Sequence, residues 1–310
     1  MKHNYSHKIL MTVAAISMLA TSCSDKETPT EPEDESCTKV MWYADADGDG
    51  LGDAEVTLYE CDQPEGYVSN SNDKIDAKAS NMAVPMVFKV TGETCPPCGG
   101  WGWTAFADLV YRYQGGKAFS WGNYGTGFSS GHFRNQEFNP TMQAMQDRFA
   151  PNSSKPNFVV NGRNYTTNSA DAQAAADAFV LTTAPVGMVM KATIEGDKLT
   201  INAEAEAFED ANGTYVMGAY LIEDKALGPQ AGTAGANGDA EHHNVMRGSL
   251  SDNAWGDVIT EDGLSAGTKY EKSFSLDIPS GYNRDNFAYG LIVWKRIGTA
   301  HLFVNAYATQ

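Results

Sequence analysis

The chain has 310 residues, 42% of them hydrophobic and 11% aromatic, which is enough material for two or three modest domains, each with its own core. A net charge of −17 argues against nucleic acid and against an anionic membrane surface as partners. The acid is concentrated: residues 24–76 carry 16 Asp/Glu against 3 Lys/Arg, a net of −13, so the acidity belongs to an N-terminal segment and not to the main body.

Lys2 and Lys8 precede an apolar run from Ile9 to Ala20, shorter than the ~20 residues a membrane span needs. Residues 1–22 therefore read as an export signal. The segment Ala20-Thr21-Ser22-Cys23 resembles a lipobox, in which cleavage exposes a cysteine that receives lipid, although Ala20 stands where that pattern prefers Leu. An ordinary signal peptide with an incidental cysteine is the other reading. Ser24 in place of Asp implies, by resemblance to lipoprotein sorting, the outer membrane. With Cys23 acylated, four of the five cysteines remain, and they fall into two pairs, Cys37 with Cys61 and Cys95 with Cys98. Residues 23–36 are Ser, Asp, Glu, Thr and Pro with almost nothing to bury, the composition of a disordered tether.

Residues 37–80 form a small acidic module. Asp45, Asp47, Asp49 and Asp53 place side-chain oxygens at positions 1, 3, 5 and 9 of a calcium loop, the Leu51 carbonyl falls at position 7, and Gly50 at position 6 permits the sharp turn. A hard cation needs several anionic oxygens converging, and this spacing supplies them. Position 12 is Val56 and not Glu, so the loop departs from the EF-hand and instead resembles the thrombospondin type 3 repeat, with Trp42-Tyr43 ahead of it. Asp73 or Asp76 would complete the shell, and Cys37 and Cys61 would close the module covalently. The resemblance implies structural calcium that stiffens a spacer; a solvated acidic loop is the alternative.

Within residues 84–182, Met86–Thr91 reads as a buried strand, Gly92-Glu93-Thr94 as a turn, and Trp103, Phe106, Val110 and Tyr113 recur at helical spacing. Cys95-Pro96-Pro97-Cys98 thus sits at a strand-to-helix junction. Free amides and the dipole at a helix start stabilise a thiolate. Cys95, expected to be the more exposed, would attack a substrate disulfide and Cys98 would resolve the mixed disulfide. A strand at Lys117–Tyr124, a helix at Asn139–Phe149, a strand at Asn157–Asn161 and a helix from Asn168 to Leu181 follow, with Asn168 as N-cap. This α/β order resembles the minimal thioredoxin fold. The resemblance implies a cis Lys155–Pro156 bond, with Pro156 lying against the cysteine pair and helping to bind an extended substrate. Two departures are Thr94, where thioredoxins usually carry Trp, and the loose helix start Gly99-Gly100-Trp101-Gly102. A static disulfide on the same scaffold is the rival reading. Metal is a third, with His132 as an unsupported extra ligand.

Residues 184–310 read almost entirely as strands. Val186, Met188, Met190, Ala192 and Ile194 alternate, Gly196-Asp197 turns the chain, and Leu199, Ile201, Ala203 and Ala205 alternate again. Further strands are expected at 214–222, 270–278, 287–294 and 301–308, and a flexible loop at 228–240. Short strands between Gly- and Asp-rich turns suggest a β-sandwich. The adjacent His242 and His243 fit one exposed and one packed histidine better than a metal site. There is no phosphate-binding loop and no Ser/His/Asp triad.

The stretches VFKVTGETCPPC (87–98), PNFVVNG (156–162), HHNVMRG (242–248) with WGD (255–257), and LFVNAY (302–307) together resemble the Omp28-related outer-membrane lipoproteins. That resemblance, covering roughly residues 84–310, implies an α/β thioredoxin-like domain followed by an all-β immunoglobulin-like sandwich. The resulting expectation is an envelope thiol–disulfide oxidoreductase. It acts on protein thiols or disulfides, meets the membrane only through its lipid, and needs no organic cofactor. The alternative is a non-enzymatic surface lipoprotein that binds a protein or glycan partner.

Overall fold

The computed structural model describes residues 37–310 except 49, 76, 129, 134–138 and 234–238, so the export signal, Cys23, the tether, Asp49 and Asp76 lie outside the described residues. From Val40 onward the chain forms one compact unit. It opens with β1 (Val40–Ala44), β2 (Asp53–Glu60) and β3 (Tyr67–Val68), a small antiparallel sheet in the order β2-β1-β3. Then come β4 (Met86–Val90), α1 (Pro96–Gly99), α2 (Trp101–Arg112), β5 (Phe119–Asn123), α3 (Asn139–Phe149), β6 (Asn157–Val160), β7 (Arg163–Asn164) and α4 (Ser169–Val180). The remainder is strand: β8 (Val186–Glu195), β9 (Lys198–Ala207), β10 (Thr214–Glu223), β11 (Ala226–Pro229), β12 (Asp239–His242), β13 (Val245–Ser249), β14 (Asp257–Thr260), β15 (Lys269–Asp277), β16 (Phe287–Ile297) and β17 (Ala300–Ala308).

Local chemistry accounts for most of these elements. Met86-Val-Phe-Lys-Val90 is buried along its whole length because both faces of β4 are covered: α2 and α4 lie on one side and α3 on the other. Helix α2 turns Phe106 and Leu109 inward at helical spacing, and Tyr113, its C-cap, joins the same cluster. The Asn168 side chain caps α4 by accepting the Asp171 N–H at 3.1 Å. The β8–β9 hairpin turns at Gly196-Asp197 with Glu195 opposite Lys198, and Gly196 takes the positive φ of 60° that the turn requires.

The expected α/β thioredoxin-like domain followed by an all-β immunoglobulin-like sandwich is not what forms. The protein is mostly β, and a single nine-stranded sheet runs through both regions in the order β17-β16-β10-β13-β5-β4-β6-β7, with β14 also paired to β10. The join lies between β5 and β13, parallel neighbours at Gly122 and Val245, where the Gly122 N–H donates to the Asn244 carbonyl at 2.8 Å. The physical reason is shared burial. Met86, Phe88, Phe119 and Trp121 belong to the same cluster as Tyr220, Ile292 and Trp294. Phe88 stacks on Trp121 at 4.8 Å, and Phe149 stacks on Trp294 at 5.9 Å. Each fully buried side chain of this kind is worth roughly 1.5–3 kcal/mol, so separating the regions would forfeit several such contributions. Strand β10 shows the result in its pattern: Val216, Tyr220 and Ile222 face this cluster. Tyr215, Met217 and Leu221 face a second one, beneath the three-stranded sheet β15-β9-β8.

The 228–240 segment is also not simply a flexible loop. Its ends pair as the β11–β12 hairpin, with Gly228 opposite Ala240, and its described middle packs against the cysteine pair.

Candidate functional site

Cys95 ends the turn after β4 and caps α1, its sulfur accepting the Cys98 N–H at 3.3 Å. Pro96 and Pro97 fill the first helical positions, where a missing N–H costs nothing. Cys95 and Cys98 are joined as a disulfide, with Cα atoms 5.2 Å apart. The Lys155–Pro156 bond is cis, and the Lys155 carbonyl oxygen lies 3.7 Å from the Cys95 sulfur. Gly102 lets α2 approach the proline, since a Cβ there would stand 2.4 Å from Pro156 Cγ. The three residues Cys95, Cys98 and Pro156 are therefore brought together. The Lys155 ammonium secures this turn by donating to the carbonyls of Thr91 at 3.0 Å, Thr126 at 2.5 Å and Gly127 at 2.8 Å.

Accessibility differs from expectation. Cys95 is only 1% exposed and Cys98 is fully buried. A strap, residues 230–233, follows β11 and lies against the backbone around them. The Gln230 side-chain amide donates to the carbonyls of Gly92 at 3.3 Å, Glu93 at 3.4 Å and Cys95 at 3.2 Å. The Ala231 N–H donates to the Glu93 carbonyl at 2.7 Å. Contact is so close that a Cβ on Gly99 would meet the Ala231 carbonyl oxygen at 2.1 Å. One on Gly232 would meet the Pro96 carbonyl oxygen at 2.2 Å. Glu93, 1% exposed, accepts the Phe133 N–H on one carboxylate oxygen at 2.9 Å.

Buried polar groups lie on β4, just after β5 and at the end of β12. Lys89 is 2% exposed, its ammonium set over Trp103 at 5.4 Å and Phe106 at 5.0 Å, with the Gly102 carbonyl at 3.5 Å. Burial pulls its pKa down to about 7. His242 Nδ1 meets the Tyr124 hydroxyl at 2.5 Å and Nε2 meets the Gly228 carbonyl at 3.2 Å. A carbonyl only accepts, so the proton sits on Nε2 and Tyr124 donates to Nδ1. Burial lowers the His242 pKa to about 3 and keeps the ring neutral. Its neighbour His243 turns instead to Asp224 at 3.0 Å, whose hydrogen bond raises its pKa. The two rings take separate partners, and His132 Nε2 is occupied by the Leu227 carbonyl at 3.0 Å.

In the acidic module, the Asp45 carboxylate accepts the N–H groups of Gly48 at 2.8 Å and Gly50 at 3.1 Å. Asp47 pairs with Lys269 at 3.4 Å, which also reaches Glu204 at 3.3 Å. Asp53 pairs with Lys191 at 3.7 Å, and Lys191 with Glu55 at 2.9 Å. Asp73 is bridged to Asp53 through the backbone. Leu51 is half-buried, and Cys37 and Cys61 are each disulfide-bonded. Among the described residues, no three His, Cys, Asp or Glu side chains are grouped closely enough to hold a metal ion.

The sequence profile of the family described as "Outer membrane protein Omp28" matches residues 143–301. The chain belongs to this family. The structure is similar to "HBP35 of Porphyromonas gingivalis", with a TM-score of 0.59 and 17% identity, covering 74% of this chain and 76% of that one. A domain of the outer membrane lipoprotein Omp28 from Porphyromonas gingivalis matches at 16% identity over 39% of this chain and 89% of that one, with a TM-score of 0.25. No curated protein matches. Among the described residues of this Omp28-family chain, no helix is long and apolar enough to cross a membrane.

Residues that sequence reasoning missed in the Omp28-family chain are Gln230, Glu93 and Lys89. Gln230 stands in a Gly/Ala-rich run that carries no periodic signal. Lys89 lies inside an otherwise apolar strand, and that interruption was a signal available in the sequence.

Proposed function

We propose that this outer-membrane protein is a non-enzymatic, lipid-anchored binding scaffold in which Cys95–Cys98 is a structural disulfide. One observation carries the reading: Cys95, whose sulfur would attack in any exchange reaction, is only 1% exposed, and the 230–233 strap is bonded to its carbonyl. Thiolate reactivity requires access as well as a lowered pKa. The test is to reduce the native protein and follow maleimide labelling and insulin reduction. Labelling should be far slower than in the urea-unfolded chain, and wild type and Cys95→Ser should reduce insulin equally poorly.

A second reading, thiol–disulfide exchange, is favoured by the position of Cys95 at the start of α1 beside Pro156. In it the Cys95 thiolate attacks a substrate disulfide and releases one substrate thiolate. Cys98 then displaces the second, leaving the substrate reduced and Cys95–Cys98 oxidised. Rapid labelling, with insulin reduction abolished in Cys95→Ser, would establish this reading and remove the first.

The anchor we assign is Cys23, acylated after cleavage, with the body on either side of the outer membrane. Metabolic labelling with a palmitate analogue, lost in Cys23→Ala, tests this. We also propose structural calcium in the 45–53 loop, through Asp45, Asp47, Asp49, the Leu51 carbonyl and Asp53. The hydrogen bonds that Asp45 accepts from Gly48 and Gly50, which draw the loop around it, support the reading. Calorimetry showing no calcium uptake up to millimolar concentration would exclude it.

A further inference from the structure

A cleft of about 660 Å³ opens where the linker before β4, the ends of α2 and α4, β8 and β17 meet. That volume falls within the range of about 300–1,000 Å³ usual for small-ligand sites. Its wall is largely apolar, including Met82, Val84, Val180, Met188 and Tyr307. Met82 is 65% exposed, an unbranched, adaptable side chain left facing solvent. The charged groups of the lining are Lys78, Arg112 and Lys117 against Asp177, a net of +2 on a chain whose total is −17. Arg112 is spent, gripping Asp177 through Nε at 2.9 Å and Nη2 at 2.7 Å. Lys78 and Lys117 are exposed and have no ion-pair partner among the described residues.

We propose that this cleft binds a long-chain carboxylate, with the alkyl tail on the apolar wall and the carboxylate held by Lys78 and Lys117. Two lysines with no ion-pair partner among the described residues, beside a largely apolar wall, favour a single-chain anion over an uncharged amphiphile, and the volume of this open cleft suits a small molecule. The proposal goes beyond the scaffold reading and does not depend on the state of the disulfide, so its failure leaves that reading standing.

The experiment is calorimetry on the full oxidised protein with laurate, dodecanol and acetate, below the critical micelle concentration. Laurate should bind saturably at one site and weaken with added salt, dodecanol should bind about tenfold more weakly, and acetate should not bind. Lys78→Ala with Lys117→Ala should weaken laurate about tenfold and leave dodecanol unchanged. Met82→Glu, an exposed change that near-UV circular dichroism should show to be folded, should weaken both. Absence of saturable laurate binding, equal affinity for laurate and dodecanol, or a lysine double variant with wild-type affinity would each overturn the proposal.

Discussion

The side-chain nitrogen of Gln230 lies 3.2 Å from the carbonyl oxygen of Cys95, and this bond ties to the disulfide a residue 135 positions further along the chain. The Gln230 amide supplies three of the strap's bonds to the turn before α1, so a single substitution removes them together. Gln230→Ala should speed maleimide labelling of the reduced native protein by roughly tenfold, the loss of about 1–1.5 kcal/mol of hydrogen bonding. Gly99→Ala should act in the same direction more strongly, because its new methyl group meets backbone and not a movable side chain. Labelling rates equal to wild type in both variants would mean that the strap is not what shields the pair.

Removing the disulfide should cost little for its length. Cys95 and Cys98 close a loop of only three residues' separation, and the chain-entropy estimate for so short a loop is about 2 kcal/mol. Cys95→Ala with Cys98→Ala should therefore remain folded, with a lower urea midpoint. A loss well above 4 kcal/mol would show that the bridge also organises the packing around it.

Lys89 has a folded pKa of about 7 against an ordinary 10.5. Between these values the unfolded chain holds the extra proton, so stability rises as pH climbs from about 7 to 10.5. Lys89→Met should be more stable than wild type at pH 7, by on the order of a few kcal/mol. The advantage should shrink toward pH 10. Parallel urea-midpoint curves for the two proteins would refute this.

His242 carries the opposite end of the pH range. Its folded pKa is about 3 against an ordinary 6.5, so below neutrality the unfolded state takes up a proton that the folded state refuses. Stability should fall as pH drops from about 6.5 toward 3 and be indifferent to this group above that window. His242→Gln should be weaker at pH 7, having lost the Tyr124 partner, but flatter in acid. An unchanged acid slope would assign the sensitivity to another group.

If calcium enters the 45–53 loop, it competes with Lys269 for Asp47. Lys269→Met should then tighten calcium binding several-fold in calorimetry, by removing a positive charge from a ligand. Unchanged affinity would separate the loop from that lysine.

Legibility in the sequence followed the range of the interaction. The β8–β9 hairpin, the α4 cap, the cysteine pair at a helix start and the proline beside it were all readable, because each rests on spacing within a few residues or on a recognisable motif. The β5–β13 pairing was not readable. Gly122 and Val245 carry no mark of each other, and Phe119 and Trp121 look the same whether α3 alone covers them or Trp294 joins it. The strap was hidden for a related reason: its hold on the cysteines comes from one side-chain amide and from glycines whose value is only that nothing projects from them.

The placement of β13 beside β5 bears on how the protein is made. The β5 segment is synthesised early, yet one of its edges has no neighbour until residues more than a hundred positions later arrive. Such distant pairing gives a high contact order, which slows folding and leaves the cluster around Phe88, Phe119 and Trp121 incomplete until Tyr220, Ile292 and Trp294 arrive. If residues 1–22 direct export, that delay suits a chain threaded extended through a translocation pore, with the sheet closing once the last strands have followed.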